Sequence, residues 1–306
     1  MIITAEIRID GLREVGVDSE SRMKLGPYEL DQIYHGDCVD LMAQLPDKCI
    51  DLVVTSPPYD NLRDYNGYTF IFEAVSLALW RIIKPGGVVV WVVGDETKNG
   101  SESGTSFRQA LGFMELGFRL HDTMIYQREG MPMSHPRYEQ HFEYMFVFTR
   151  GKLSTFNPIL KPNIRGGKIE RSVNKTRKGN ALARPNRKPF VRKQRGIIGN
   201  IWKYGIGLGG TTSDKEAYSH PAIFPEALAR DHIISWSNPG DIVLDPMCGS
   251  GTVLKMAKEL GRQFLGFDIS EEYCELSRRR VEGAKVPMFV PGENGRVEPV
   301  QLELGE

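Results

Sequence analysis

Two kinds of apolar pattern alternate along the chain. Residues 51–54, 88–93 and 242–244 are short, β-branched and free of polar alternation, the pattern of strands buried on both faces. Residues 70–83 instead place Phe72, Val75, Leu79, Ile82 and Ile83 at helical spacing, with Lys84-Pro85-Gly86-Gly87 as the stop. In order, the pattern predicts a strand over 28–37 ending at Gly36-Asp37, a short helix over 39–45 closed by Pro46, a strand at 51–54 and the helix over 70–83. A strand at 88–93 follows, then a helix over 106–116 stopped by Gly117. Strands at 120–127 and 142–148 come next, the second near a sheet edge. The last third predicts a helix over 221–235 with Phe224, Leu228, His232 and Ile233 on one side, then a strand at 242–244. A helix to Leu260, a strand at 263–267 closed by Asp268 and a helix over 271–280 complete it. Strands alternating with helices imply an α/β, doubly wound, mainly parallel sheet.

Ligands of such sheets sit beyond the carboxyl ends of the strands, and two strand ends stand out. The run ending at Val54 breaks into Thr55-Ser56-Pro57-Pro58-Tyr59. Neither proline has an N–H for a ladder, so the chain must leave the sheet in a stiff loop. A hydroxyl, a free carbonyl and an aromatic ring there can hold a planar heterocycle carrying an exocyclic amine. The second strand end is Asp245-Pro246-Met247-Cys248-Gly249-Ser250-Gly251-Thr252. Its glycines permit a tight turn and close approach of a ligand to backbone. The helix after it presents free N–H groups, and Asp268 ends the next strand about 20 residues on, where an acid can bond ribose hydroxyls. Strand, Gly-x-Gly, helix, strand and acid in that order point to an adenosine-bearing cofactor. Leu254 stands where a dinucleotide fingerprint has its third glycine.

Charge changes the picture. The net charge is zero, yet residues 150–215 hold 17 Lys and Arg against two acids, Glu170 and Asp214. Such a segment, poor in apolar residues, is predicted to be an insert facing a polyanion. Cys38, Cys49, Cys248 and Cys274 lie far apart with no Cys-x-x-Cys pair, so no metal site or disulfide framework is predicted and a reducing cytosol is expected. No apolar stretch reaches the roughly 20 residues of a membrane helix. Residues 1–27 are expected to be an arm or an extra strand, and residues 287–306 a peripheral tail.

Ser56-Pro57-Pro58-Tyr59 resembles the catalytic motif of the DNA amino-methyltransferases, and residues 245–252 resemble their S-adenosylmethionine (SAM) motif, with Met247 in place of the usual Phe. His220-Pro221-Ala222-Ile223-Phe224-Pro225 is similar to the segment that closes over the methionine end of SAM, with Phe224 and Pro225 nearest. Gly36-Asp37 is similar to the pair whose Asp meets the adenine amino group. Residues 265–270 with Tyr273 resemble the ribose-binding segment, and Gly199-Asn200-Ile201-Trp202 resembles a short junction before the SAM half. The order, catalytic motif first and SAM motif last with the basic segment between, is that of the family's beta group. The resemblance implies a Rossmann-like methyltransferase fold with a catalytic half at 28–150, a DNA-recognition insert at 151–218 and a SAM-binding half at 219–286.

It also implies site-specific methylation of double-stranded DNA in the cytoplasm, at the exocyclic amine of a flipped base. Ser56 Oγ and the Pro57 carbonyl would accept the amine's hydrogens and Tyr59 would stack on the base. Ser-Pro-Pro-Tyr leans toward cytosine N4; adenine N6, or an RNA or protein-amide substrate, is the alternative. A cognate restriction endonuclease would be a partner in function only. Methylation at cytosine carbon-5 is disfavoured, because that route needs a nucleophilic cysteine, commonly in Pro-Cys. The chain has no Pro-Cys, and Cys248 lies inside the cofactor turn.

Overall fold

The computed structural model describes residues 23–58, 70–128, 137–164, 166–170, 190–207, 209–220, 222–285, 289–291 and 297–299. Its centre is one sheet of eight strands. They are β1 (Gln32–His35), β2 (Ile50–Thr55), β3 (Ile83–Val93), β4 (Arg119–Gln127), β5 (Phe142–Thr149), β6 (Ile201–Lys203), β7 (Ile242–Asp245) and β8 (Gln263–Asp268). The spatial order is β6-β4-β5-β3-β2-β7-β8-β1. All pairs are parallel except those that β5 makes with β3 and β4. The mainly parallel Rossmann-like sheet expected from the alternation of elements is therefore the fold of the chain.

Helices α1 (Cys38–Ala43), α2 (Phe72–Ile82) and α3 (Thr105–Glu115) cover one face, and α4 (Glu226–Trp236), α5 (Thr252–Glu259) and α6 (Glu271–Glu282) the other. The strand sequences divide accordingly. Val53, Val89, Trp91, Val93, Phe146, Phe148, Leu244 and Phe267 pack with Met42, Val75, Leu79 and Phe113. Leu52, Val54, Val88, Val90, Val92, Met145, Val147 and Val243 pack with Leu228, Ile233, Leu254 and Cys274. Successive side chains of a strand point to opposite faces, so a strand covered on both sides reads as one apolar run.

Two expectations are corrected. Residues 142–149 do not lie near an edge: β4 and then β6 cover the outer side of β5, which is why its apolar residues run without polar interruption. Residues 84–87 do not separate α2 from a later strand. They bulge within β3, whose register on β2 jumps from Ile50↔Ile83 to Leu52↔Val88. Gly86, with φ +84°, donates to the Arg150 carbonyl at 2.7 Å and so holds the bulge against the end of β5.

The segment rich in Lys and Arg contributes its own short pairs, Leu160–Pro162 with Arg195–Ile197 and Ile169–Glu170 with Phe190–Val191. Ile201–Lys203, expected as a junction, is the edge strand of the main sheet and lies parallel to β4. Trp202 is buried there and its ring lies 4.8 Å from that of His232 on α4. Burial drives the His232 imidazole down to about 3, so it is neutral; it accepts from Trp236 Nε1 at 3.1 Å.

Candidate active site

The crossovers of this sheet diverge between β2 and β7. From β2 the chain passes through α2 on one face to β3. From β7 it passes through α5 on the other face to β8. β2 and β7 are adjacent and parallel, pairing Leu52 with Val243 and Val53 with Leu244. This is a topological switch point, where the two crossovers leave in opposite directions and open a crevice at the strands' carboxyl ends. Ser56-Pro57-Pro58 leaves from one lip and the turn from Asp245 to Thr252 from the other. The two motifs, almost 200 residues apart in sequence, thus share one crevice.

A hydrogen bond ties the lips together. Thr55 Oγ1 donates to Asp245 Oδ1 at 2.8 Å, and both side chains are buried. The same carboxylate oxygen accepts from the Met247 amide at 3.2 Å. Burial pushes the Asp245 carboxyl up to about 7; the bonds from Thr55 and Met247 pull it down and the neighbouring Asp268 pushes it further up. Ser56 is half-buried and Pro57 buried just beyond this link. Tyr59 lies outside the described residues.

The turn itself is built from left-handed backbone. Gly249 (φ +50°) and Gly251 (φ +75°) make conformations that L side chains rarely adopt. The space around them is equally restrictive. A Cβ on Gly249 would stand 2.8 Å from His220 Nε2, and one on Gly251 would collide with Ser277 Oγ. His220 sits edge-on to Tyr273, with ring centroids 4.4 Å apart, and lies over the turn. Pro225 is buried at the start of α4 and Phe224 packs part-buried on the core. Pro221 lies outside the described residues.

Asp268 closes the pocket wall from β8. Its Oδ2 accepts from the Gly249 amide at 2.8 Å and its Oδ1 from the Ser270 amide at 2.9 Å. The Ile269 amide also leans on this carboxylate, and acceptor capacity remains for a further donor such as a hydroxyl. Burial raises the Asp268 carboxyl above its ordinary range. Gly36 donates to the Asp268 carbonyl at 2.9 Å, which places Asp37 beside it at the carboxyl end of β1. Asp37 Oδ1 caps α1 by accepting from the Val39 amide at 2.7 Å.

Residues that the sequence reading did not single out hold the turn from beneath. Arg280 on α6, whose side chain is 1% exposed, donates to the Ser250 carbonyl and to Thr252 Oγ1 at 3.1 Å. It pairs with Asp214 at 2.7 Å and Glu226 at 3.2 Å, and Lys255 joins Glu226 at 2.7 Å. Burial works to raise the Asp214 carboxyl, but the Arg280 bond and charge outweigh it and hold the group below its ordinary range. Two cations and two carboxylates balance, as a buried cluster requires. A local signal existed only for Thr55: a hydroxyl at the end of an apolar strand needs a partner.

The donor set suits an adenosine-bearing sulfonium ligand. Carboxylates at the ends of β1, β7 and β8 offer acceptors for hydroxyl and amino groups and negative charge for a cation. The two-glycine turn lets backbone approach closely.

A family model of N6/N4 methyltransferases, described as DNA methylase, matches residues 50–279. The chain belongs to this family. SAM is the family's methyl donor and hence the cofactor of this methylase. The chain is 50% identical over 252 residues to the orphan methyltransferase M.BamHII of Bacillus amyloliquefaciens, covering 79% of this chain and 92% of the relative. Its fold is similar to that of the PvuII DNA methyltransferase, named cytosine-N4-specific (TM-score 0.60, 20% identity, 81% and 85% of the two chains). It is also similar to M1.HpyAVI solved with SAM (TM-score 0.52, 24% identity, 81% and 98% of the two chains). At these identities the two structures speak to the fold alone.

Proposed function

We propose that this methylase acts on the N4 amine of cytosine in double-stranded DNA, with the base turned out of the helix into the crevice between β2 and β7. The observation that carries the reading is the Thr55–Asp245 hydrogen bond, which fixes the start of the Ser56-Pro57-Pro58 loop against the cofactor turn. When bound, SAM supplies an electrophilic methyl group on a positively charged sulfur. The chain's residues prepare the amine. Its lone pair is delocalised into the ring, which makes it a poor nucleophile. Ser56 Oγ and the Pro57 carbonyl accept its two hydrogens and draw the nitrogen toward tetrahedral geometry, leaving the lone pair on the cofactor side. The proton released on transfer leaves through one of these acceptors to solvent. Tyr59 stacks on the base. The Lys and Arg of residues 150–215 contact phosphates and offset the few kcal/mol that unstacking a base costs.

The choice of cytosine rests on Ser56 as the first residue of the motif. Incubation of the protein with tritiated SAM and mixed-sequence DNA, then mass spectrometry of the nucleosides, tests it. N4-methylcytosine is the expected product. N6-methyladenine would overturn the choice of base, and labelled RNA with unlabelled DNA the choice of substrate.

A further inference from the structure

The connection from β3 to α3 is longer than the fold needs. Residues 94–104 lie between Val93 and Thr105, where a strand-to-helix loop takes about two to six residues. The surplus folds into a ribbon of its own. Thr97–Lys98 pairs antiparallel with Ser101–Glu102, with Thr97 opposite Glu102 and Lys98 opposite Ser101. Asn99 (φ +52°) and Gly100 (φ +78°) make the turn, both in the left-handed backbone that two-residue hairpins favour. Residues 97–102 are all exposed, so the ribbon adds nothing to the core. Polar bonds hold it in place instead. The Ser103 amide donates to the Glu96 carbonyl at 2.8 Å and closes the base. Asp95 accepts from Ser103 Oγ at 3.1 Å and from the Ser106 amide at 2.9 Å, which ties the base to the start of α3. Arg137, ahead of β5, donates to the Gly100 carbonyl at 2.8 Å and pairs with Glu102 at 2.7 Å.

Placement and charge identify what the ribbon meets. It rises from the carboxyl end of β3, the strand beside β2, and so stands at the end of the sheet from which the Ser56 loop leaves. The segment rich in Lys and Arg packs on the other face, where Leu153, Ile159 and Ile198 join the core under α4. The ribbon leads into α3, on the opposite face. The carboxyl edge of the sheet is thus flanked by the basic segment on one side and the ribbon on the other. Side chains alternate across the ribbon, so Thr97 and Glu102 share one face and Lys98 and Ser101 the other. Arg137 occupies the first face and neutralises the ribbon's one carboxylate. Lys98 makes no ion pair among the described residues, which leaves the second face cationic.

We propose that residues 97–102 are a second DNA-contacting element, a ribbon that enters the major groove from the side opposite the basic segment and sets Lys98 on a phosphate. A duplex that delivers a base to the crevice must lie over the carboxyl edge of the sheet and so meets both flanks. The major groove, about 12 Å wide, admits a two-stranded ribbon. A phosphate contact there fixes the register of the duplex over Ser56 and adds to affinity without touching the cofactor. This role rests on duplex DNA being the substrate and holds for either base.

The ribbon can be shortened without opening its base. Deleting Thr97, Lys98, Ser101 and Glu102 joins Glu96 and Ser103 directly to the Asn99-Gly100 turn and preserves a two-residue hairpin. The shortened chain should keep the circular dichroism and the SAM affinity of the wild type. Its KM for a mixed-sequence duplex, measured with tritiated SAM, should rise about tenfold at low salt, with kcat within about twofold. In the full-length chain, Lys98→Ala should reduce the slope of log K for DNA on log salt by about one, and Lys98→Arg should restore it. A shortened chain that labels DNA with the wild-type KM would overturn the ribbon's role while leaving DNA as the substrate. So would a Lys98→Ala variant with an unchanged salt slope. A wild type that labels no DNA would overturn the substrate and the ribbon's role together.

Discussion

Asp245 bears two opposed demands. In the cofactor-free protein its buried carboxyl is held at about 7, so the fold loses stability as pH rises from the ordinary carboxylate range to about 7, where the unfolded chain has already ionised and the folded one has not. Beside a cationic ligand the ionised form is the useful one. Asp245→Asn should therefore raise the melting temperature of the cofactor-free protein at pH 8 by a few degrees. The gain should shrink progressively as pH falls from 7 toward the ordinary carboxylate range, where the unfolded carboxyl also takes up its proton. The same variant should weaken SAM binding by about tenfold in calorimetry, the size of one pKa unit. Thr55 is the other half of the link. Thr55→Val leaves a buried carboxylate short of a donor, a loss of about 1–3 kcal/mol, and should shift the acid limb of the pH–rate profile upward. Thr55→Ser should restore both stability and profile; a Ser variant no better than Val would remove the hydroxyl from the account. At this scale the motif residues were legible because glycines, prolines and carboxylates sit in a fixed order. The partner of Thr55 was not, since Asp245 lies 190 positions away and only strand adjacency brings the two together.

Among the elements, α6 does more than cover the sheet. Through Arg280 it braces the backbone of the two-glycine turn at Ser250 and Thr252, the turn proposed to hold the cofactor, and ties it to Asp214 and Glu226. Arg280→Met should cost about 1–3 kcal/mol in chemical denaturation, since it leaves the half-buried Asp214 without its cation and the Ser250 carbonyl without its donor, while Lys255 stays on Glu226. It should also weaken SAM binding more than DNA binding. Arg280→Lys should not restore the protein, because an ammonium cannot reproduce a planar fork that reaches four acceptors. The sequence marked α6 as the helix after β8 but gave no sign that one arginine on it points inward, since a single Arg among Arg278, Arg279 and Arg280 reads as surface charge. Strand identity was equally readable while strand position was not. The run now seen as β5 is apolar because β4 and β6 shield it, and the three residues of β6 were too short to register as a strand of their own.

Across the whole molecule, neutrality conceals a division of labour. Residues 150–215 carry a large positive excess and the remainder an equal negative one. DNA binding should therefore weaken steeply with salt, with log K falling linearly in log salt and a slope of about −0.9 for each phosphate contacted. Reversing one solvent-exposed cation such as Lys161 or Arg195 should reduce that slope by about one, without changing SAM affinity. The doubly wound architecture followed from element order, but the meeting of two remote motifs required the sheet order, with β7 and β8 inserted between β2 and β1. That meeting is the central claim, and single-turnover methyl transfer by Ser56→Ala at saturating SAM tests it most directly, because saturation removes any change in cofactor affinity from the rate. A fall of about a hundredfold or more is predicted, the scale on which a hydrogen-bonding group aimed at the reacting atom acts. A rate equal to that of the wild type would contradict it.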